Sequence, residues 1–197
     1  MLFHFDFLVL PEYNFGMEKF DVLDKNGNLT GKTKLRSEVH RDGDWHRAVH
    51  IWIINSEGKL LVQKRSPEKE SHPNQWDISA AGHVSAGDNS ITSAVREIYE
   101  ELGVKIKQSD FKYLFTLTSQ TIQNNGTFIN NEFDDVYLVK IDVDISKVKL
   151  QKEEVSEVKW INPSLLAKVL ENKDNSFVLY DEEYPRLLDY LKKAQDH

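Results

Sequence analysis

Three carboxylates, Glu97, Glu100 and Glu101, fall within little more than one helical turn in the segment Arg96-Glu97-Ile98-Tyr99-Glu100-Glu101-Leu102-Gly103-Val104. At about 100° per residue on an α-helix they share an arc of roughly 100°, while Ile91, Ala94, Val95, Ile98 and Leu102 centre about 130° away. Like charges packed so closely repel, so at least one pKa rises or the helix weakens unless a cation stands among them. Carboxylate oxygens suit a hard divalent ion such as Mg2+ or Mn2+, which keeps several waters and is readily shared with phosphate oxygens. The plain alternative is a solvated acidic helix face, the usual reading of a lone Glu-Glu pair.

Composition narrows the chemistry. The chain has 197 residues, 25 basic against 32 acidic side chains, a formal charge of −7 and no cysteine. Without cysteine there is no disulfide scaffold, thiolate zinc site, iron–sulfur cluster or thiol nucleophile. The acidic balance argues against broad binding to polymeric nucleic acid or anionic lipid, so a phosphate ligand calls for a bound cation. The apolar start, 1–10, lacks a basic flank, contains Asp6 and is too short to span a bilayer, which points to a cytoplasmic protein with no membrane anchor. Residues 1–16 read as an N-terminal extension, either an upstream start or an arm packed through Phe3, Phe5, Phe7 and Val9. Residues 17–197 read as one domain, with no linker long enough to divide them.

The elements that must hold the glutamates follow from periodicity. Segments 20–23 and 29–33 flank Asp24-Lys25-Asn26-Gly27-Asn28, whose Asn-Gly step favours a hairpin. Strands are expected over 48–55, 60–64, 77–81, 111–118, 132–141 and 158–161, with a turn at Asn124-Asn125-Gly126. The helical apolar spacing covers 90–102 and stops at Gly103. Two more helices are expected over 163–171, capped by Asn162, and 183–194. Strands interleaved with helices and hairpins predict an α/β domain with a mixed sheet and helices on its faces.

The glutamates belong to a longer pattern. Gly82-His83-Val84-Ser85-Ala86-Gly87-Asp88, then seven residues, then Arg96 to Val104, resembles the Nudix box, G-x5-E-x7-R-E-U-x-E-E-x-G-U with U aliphatic. Average composition puts such a match, with Asp allowed for the first Glu, on the order of one in a billion per starting position. The resemblance implies a Nudix-type α/β/α sandwich with a catalytic helix. It implies Glu97, Glu100 and Glu101 as ligands of Mg2+ or Mn2+, the Gly82 carbonyl as a further one, and Arg96 as an orienting residue. Asp88 departs from the pattern, leaving the acid that pairs with the box arginine one methylene short, though the contact is expected to survive.

Upstream, His46-Arg47-Ala48-Val49-His50, Leu61 to Ser66, and Trp76 to Val84 resemble the subgroup related to isopentenyl diphosphate isomerase. That enzyme moves protons on a carbon skeleton with a cysteine before its Gly-His step; here Ala81 holds that place, and a methyl group exchanges no proton. His40, His46 and His83 look like the subgroup's metal histidines and Glu154 like its later glutamate, but the His40 to His46 spacing looks one residue short and a lone histidine is as often a surface or hydrogen-bonded residue. No second metal is assigned on sequence. Phosphate recognition is placed on Arg65 and Lys64 at a strand end, with Lys69 and His72 on the following loop.

The expected activity is divalent-metal-dependent hydrolysis of a small diphosphate compound, preferably one linked to a nucleoside, by metal-activated water. Glu154 is the favoured general base, with Glu101 and Glu153 as alternatives. The rivals are an isomerase, disfavoured by the missing cysteine, and a non-catalytic diphosphate sensor, for which the shortened Asp88 is the argument. Residues 120–131 and 173–180 are the expected variable substrate contacts, and a homodimer is left open.

Overall fold

A hairpin precedes the core, as its Asn-Gly step requires. In the computed structural model, which describes residues 18–195, β1 (Lys19–Leu23) and β2 (Leu29–Leu35) are antiparallel. Asp24 Oδ1 accepts the Asn26 and Asn28 amides across their turn, and Gly27 takes φ 80°. The extension 1–16 lies outside the described residues. The helix α1 (Arg36–Asp42) follows; its two buried residues, Val39 and His40, are too few to form a readable period. The spine is β3 (Trp45–Ile54), joined by a tight turn to β4 (Leu60–Arg65).

The strand expected over 77–81 is two strands, β5 (Trp76–Asp77) and β6 (Ala80–His83). The break is caused by Ser79, whose hydroxyl donates to the Leu61 carbonyl at 2.6 Å and accepts from the Ile53 amide at 2.8 Å, so the chain changes partner there. The expected helix is α2 (Ser90–Leu102), capped by Asn89 Oδ1 on the Thr92 amide and ended by Gly103 in the left-handed region. The hairpin β7 (Phe111–Gln123) and β8 (Phe128–Lys140) runs further than its apolar alternation, because polar pairs such as Gln120–Asn131 continue the ladder. The chain ends with β9 (Val155–Ile161), α3 (Ser164–Asn172), with Asn162 Oδ1 on the Ser164 amide, and α4 (Glu183–Gln195).

These strands form one mixed nine-stranded sheet. β3 pairs β8 in parallel from Trp45↔Asn131 to Ile54↔Lys140. Its other edge takes β6 antiparallel, with His50 opposite Ala81 and Ala48 opposite His83. Val49, Ile51 and Ile53 pack with Ala94, Ile98 and Leu102 of α2. Trp52, Val136 and Leu138 pack with Leu166 and Val169 of α3 and with Tyr184 and Leu187 of α4. Each fully buried Leu or Ile contributes about 1.5–3 kcal/mol, which fixes the α/β/α layering. Alternation along the paired strands therefore sets His46, Ala48 and His50 of β3 beside Glu132, Asp134 and Val136 of β8 on the face that carries α4. Among the described residues no helix is long and apolar enough to cross a membrane.

Candidate active site

The glutamate face of α2 lies against β6. Glu97 occupies the space beside Gly82 so closely that a Cβ at residue 82 would overlap its carboxyl group, so the glycine is required by contact rather than by backbone angle. Glu101 is buried, its Oε2 accepting from Gln63 Nε2 at 3.2 Å and from the Ala81 amide at 3.3 Å. Glu100 is half-buried at the mouth. Arg96 ties the face together, with Nη1 2.9 Å from Glu97 Oε1 and 3.3 Å from Glu100 Oε2, and Nη2 donating to the His83 carbonyl at 2.9 Å. Asp88 is exposed in the turn ahead of Asn89. Burial, with Glu100, Glu18 and Glu154 adding like charge against Arg96, pushes the Glu97 carboxyl up to about 8. Burial and then Glu97 push Glu101 well above its ordinary range, and burial also raises Glu100. A cradle of crowded carboxylates beside a glycine carbonyl fits a hard divalent cation.

Next to this face the structure brings together residues that the sequence left unassigned. Ligand atoms of His40, His46, His83 and Glu132 all lie within 4.8 Å of one another. His46 and His83 reach Glu132 Oε1 at 3.3 and 3.1 Å, and His40 Nε2 is buried with no hydrogen-bond partner. Burial, with the nearby positive groups, lowers His40 to about 4 and His83 well below its ordinary value. Against the opposing effect of burial, hydrogen bonds from His46 and His83 hold Glu132 well below the carboxylate range. Imidazole nitrogens and a carboxylate are a donor set for a second divalent metal.

Two sequence expectations change here. The His40 to His46 spacing is no obstacle, because α1 and the left-handed Gly43 return the chain so that the two rings meet at 5.0 Å. The glutamate that joins the histidines is Glu132, not Glu154. The period-two spacing Glu132-x-Asp134 in an expected strand was the available signal, but the parallel pairing with His46 was not readable.

The remaining candidates sit around the same cavity. Glu154 lines it and is ion-paired with Lys69 of the loop after β4, while Glu153 is exposed. Arg65 also lines it; its guanidinium donates to Asp77 Oδ2 at 2.9 Å and to the Ser71 carbonyl and hydroxyl at 3.0 Å. Lys64 lies elsewhere, its Nζ 5.9 Å from the centre of the Trp76 ring. Arg36, unforeseen, places Nη1 2.7 Å from His83 Nδ1. Thr121, Phe128, Val178 and Tyr180 bring parts of both expected contact segments to the wall.

Known proteins resemble the chain in sequence and fold. A family model described as NUDIX domain matches residues 44–181. The chain is 50% identical over 181 residues to Nudix hydrolase 3 of Arabidopsis thaliana, covering 89% of this chain but only 23% of that much longer relative. It is 39% identical over 145 residues to an uncharacterized Nudix hydrolase of Listeria monocytogenes, covering 74% of this chain and 80% of the relative. An isopentenyl-diphosphate Delta-isomerase of Pectobacterium atrosepticum is 33% identical over 116 residues, covering 59% and 62%. A crystal structure from Deinococcus radiodurans superposes with a TM-score of 0.61 at 25% identity, covering 77% of this chain and 88% of that one.

Proposed function

The chain belongs to the NUDIX domain family, and from that premise we propose that it is a divalent-metal-dependent hydrolase that splits the diphosphate linkage of a small, nucleoside-linked compound with water. One observation carries the reading: three carboxylates with raised pKa values crowd the cavity, one of them, Glu97, in the space left by the missing side chain of Gly82. Glu97, Glu100, Glu101 and the Gly82 carbonyl would hold Mg2+ or Mn2+, and His40, His46, His83 and Glu132 would hold a second cation. A bound cation supplies charge neutralisation for the diphosphate and lowers the pKa of a coordinated water.

The side chains do the rest. Arg96 fixes the direction of Glu97 and Glu100. Glu154, once Lys69 turns to a substrate phosphate, is free to accept a proton from the attacking water, with Glu101 as the alternative acceptor. Arg65 supplies positive charge towards the diphosphate, whereas Lys64, expected beside it, lies outside the cavity. Isomerisation is disfavoured despite the isomerase relative, because Ala81 offers no exchangeable proton. The acidic chain and absence of cysteine suit a small-molecule substrate in the cytoplasm.

The test incubates the protein with Mg2+ or Mn2+ and a panel of nucleotide sugars, dinucleotides, nucleoside di- and triphosphates, coenzyme A and isopentenyl diphosphate, with products read by mass. Metal-dependent cleavage that falls about 100-fold or more in Glu100→Gln is the expected result. Isomerised isopentenyl diphosphate, or binding without turnover, overturns it.

A further inference from the structure

Away from the metal-ligand sets, Arg65 is gripped on two sides, and one of those grips begins far along the chain. Residues 176–178 run beside β5, where the Trp76 amide donates to the Ser176 carbonyl and the Val178 amide to the Trp76 carbonyl, both at 2.8 Å. That anchorage brings Tyr180 to the cavity wall, with its ring centre 5.2 Å from that of His50 and 5.6 Å from that of Tyr184. Its hydroxyl donates to Asp77 Oδ1 at 3.0 Å, and the Ile78 amide donates to the same oxygen at 2.8 Å. Asp77, 1% exposed, is thereby held in one orientation that leaves Oδ2 for Arg65 Nη1 at 2.9 Å. On the other side, Nε and Nη2 of Arg65 donate to the carbonyl and hydroxyl of Ser71, both at 3.0 Å. Among the described residues three of the five guanidinium N–H groups are engaged, and one remains on each terminal nitrogen. The Arg65 side chain is 14% exposed and lines the cavity, so that pair is available to two oxygens of one phosphate.

We propose that Tyr180, through Asp77, and Ser71, directly, are positioning residues that clamp Arg65 so that it presents its two remaining N–H groups to a diphosphate. This rests on the hydrolase reading for the class of ligand. A long side chain that is already fixed loses little rotamer freedom when it binds, so the clamp converts more of each charge-assisted hydrogen bond into affinity. The Tyr180 ring packs against its neighbours without help from the hydroxyl, whose bond goes to Asp77. Without that bond Asp77 Oδ1 keeps only the Ile78 amide, the carboxylate is free to turn, and Arg65 turns with it. Small misplacements of this kind, made at a distance from the ligand, weaken a site without unfolding it. Tyr180 thus belongs to the segment expected to contact substrate, but acts there through two other side chains.

The test titrates the full chain in Mg2+ with methylene diphosphonate, a diphosphate analogue that resists hydrolysis, and reads binding by calorimetry. Tyr180→Phe keeps the ring and removes the hydroxyl, and is expected to bind about fivefold more weakly than wild type. Ser71→Ala removes one acceptor on the other side of Arg65 and is expected to cost about threefold; lying in a loop, it decides the matter even where Tyr180→Phe fails to fold. In an Arg65→Lys background each substitution should add less than about 1.5-fold, because residues that act through one partner are not additive. On a substrate found in the preceding assay, Tyr180→Phe should raise KM about fivefold with kcat changed less than about twofold, a split that a general loss of packing does not produce. Wild-type protein that does not bind the analogue, either variant folded and binding like wild type, or losses that persist undiminished with Arg65→Lys overturn the proposal. Cleavage in the preceding assay combined with any of these results leaves the hydrolase reading intact and removes only the clamp. The expected binding pattern without cleavage keeps the clamp and removes the hydrolase reading.

Discussion

Glu97 shows how a single side chain links the site to the stability of the fold. Its carboxyl has an ordinary pKa of 4.5, and burial among other acids raises it to about 8 in the folded chain. The protonated form is therefore the one the fold prefers. Its contribution to stability is complete below about 4.5 and is lost as pH rises through about 8. The metal-free protein should accordingly melt at a lower temperature near pH 8.5 than near pH 6. Mg2+ should raise the melting temperature more at the higher pH, where the carboxylates are ionised and in need of a counter-charge. Glu97→Gln should flatten the pH dependence; thermal unfolding with and without Mg2+ at the two pH values checks all three, and a slope unchanged by the substitution would contradict the assignment. At this scale the sequence was most readable where the residues are neighbours: Glu97, Glu100 and Glu101 reveal their shared face because a helix converts spacing directly into position. Glu183 carries no such local signature, and the spacing Glu132-x-Asp134 does not name its partner, since His46 and His50 lie in β3, distant in sequence.

Among the elements, α4 has a role that exceeds packing. It begins at Glu183, just past the residues 44–181 that match the family model, and delivers a 1%-exposed carboxylate to Trp52 and His50 of the central strand. Removing the carboxylate leaves the Trp52 indole N–H and the His50 Nδ1–H buried without their acceptor. Glu183→Ala should cost about 3 kcal/mol, and Glu183→Gln less, because the amide oxygen still accepts from one of the two donors. Urea unfolding of both variants beside the wild type measures this. A loss below about 1 kcal/mol in the alanine variant would mean that the contact is not maintained in solution. The helix itself was readable from its apolar spacing, and α2 was readable to the residue because a cap and a terminal glycine bracket it. By contrast α1 was invisible: a seven-residue helix buries only one turn and sets no period.

For the molecule as a whole, the decisive feature is the parallel pairing of β3 with β8. Strand alternation and helix spacing sufficed to predict an α/β fold with helices on both faces of a mixed sheet. They did not reveal which strand lies beside which, because period two fixes faces but not neighbours. Only that register places Glu132 opposite His46 and Asp134 opposite Ala48. Such long-range pairing also slows assembly, since the ends of a long loop must meet before any contact stabilises them. Refolding from urea, followed by tryptophan fluorescence from Trp45 and Trp52 of β3, should take milliseconds to seconds rather than microseconds. A microsecond phase that recovers the full signal would show that β3 is ordered without β8.

The turn at Asn124–Gly126 divides the chain between these two partners. On one side lie the three cluster histidines and the glutamates of α2; on the other lie Glu132, Asp134 and Glu183. A cut in that turn would give two fragments that divide the histidine–Glu132 cluster and the contacts of Glu183 with His50 and Trp52, while the glutamate face of α2 stays in the first. The first half alone would expose the edge of β3 that β8 covers and the second would expose β8, and their reassociation would restore the divided cluster, a suitable basis for a split reporter whose signal depends on bringing the halves together.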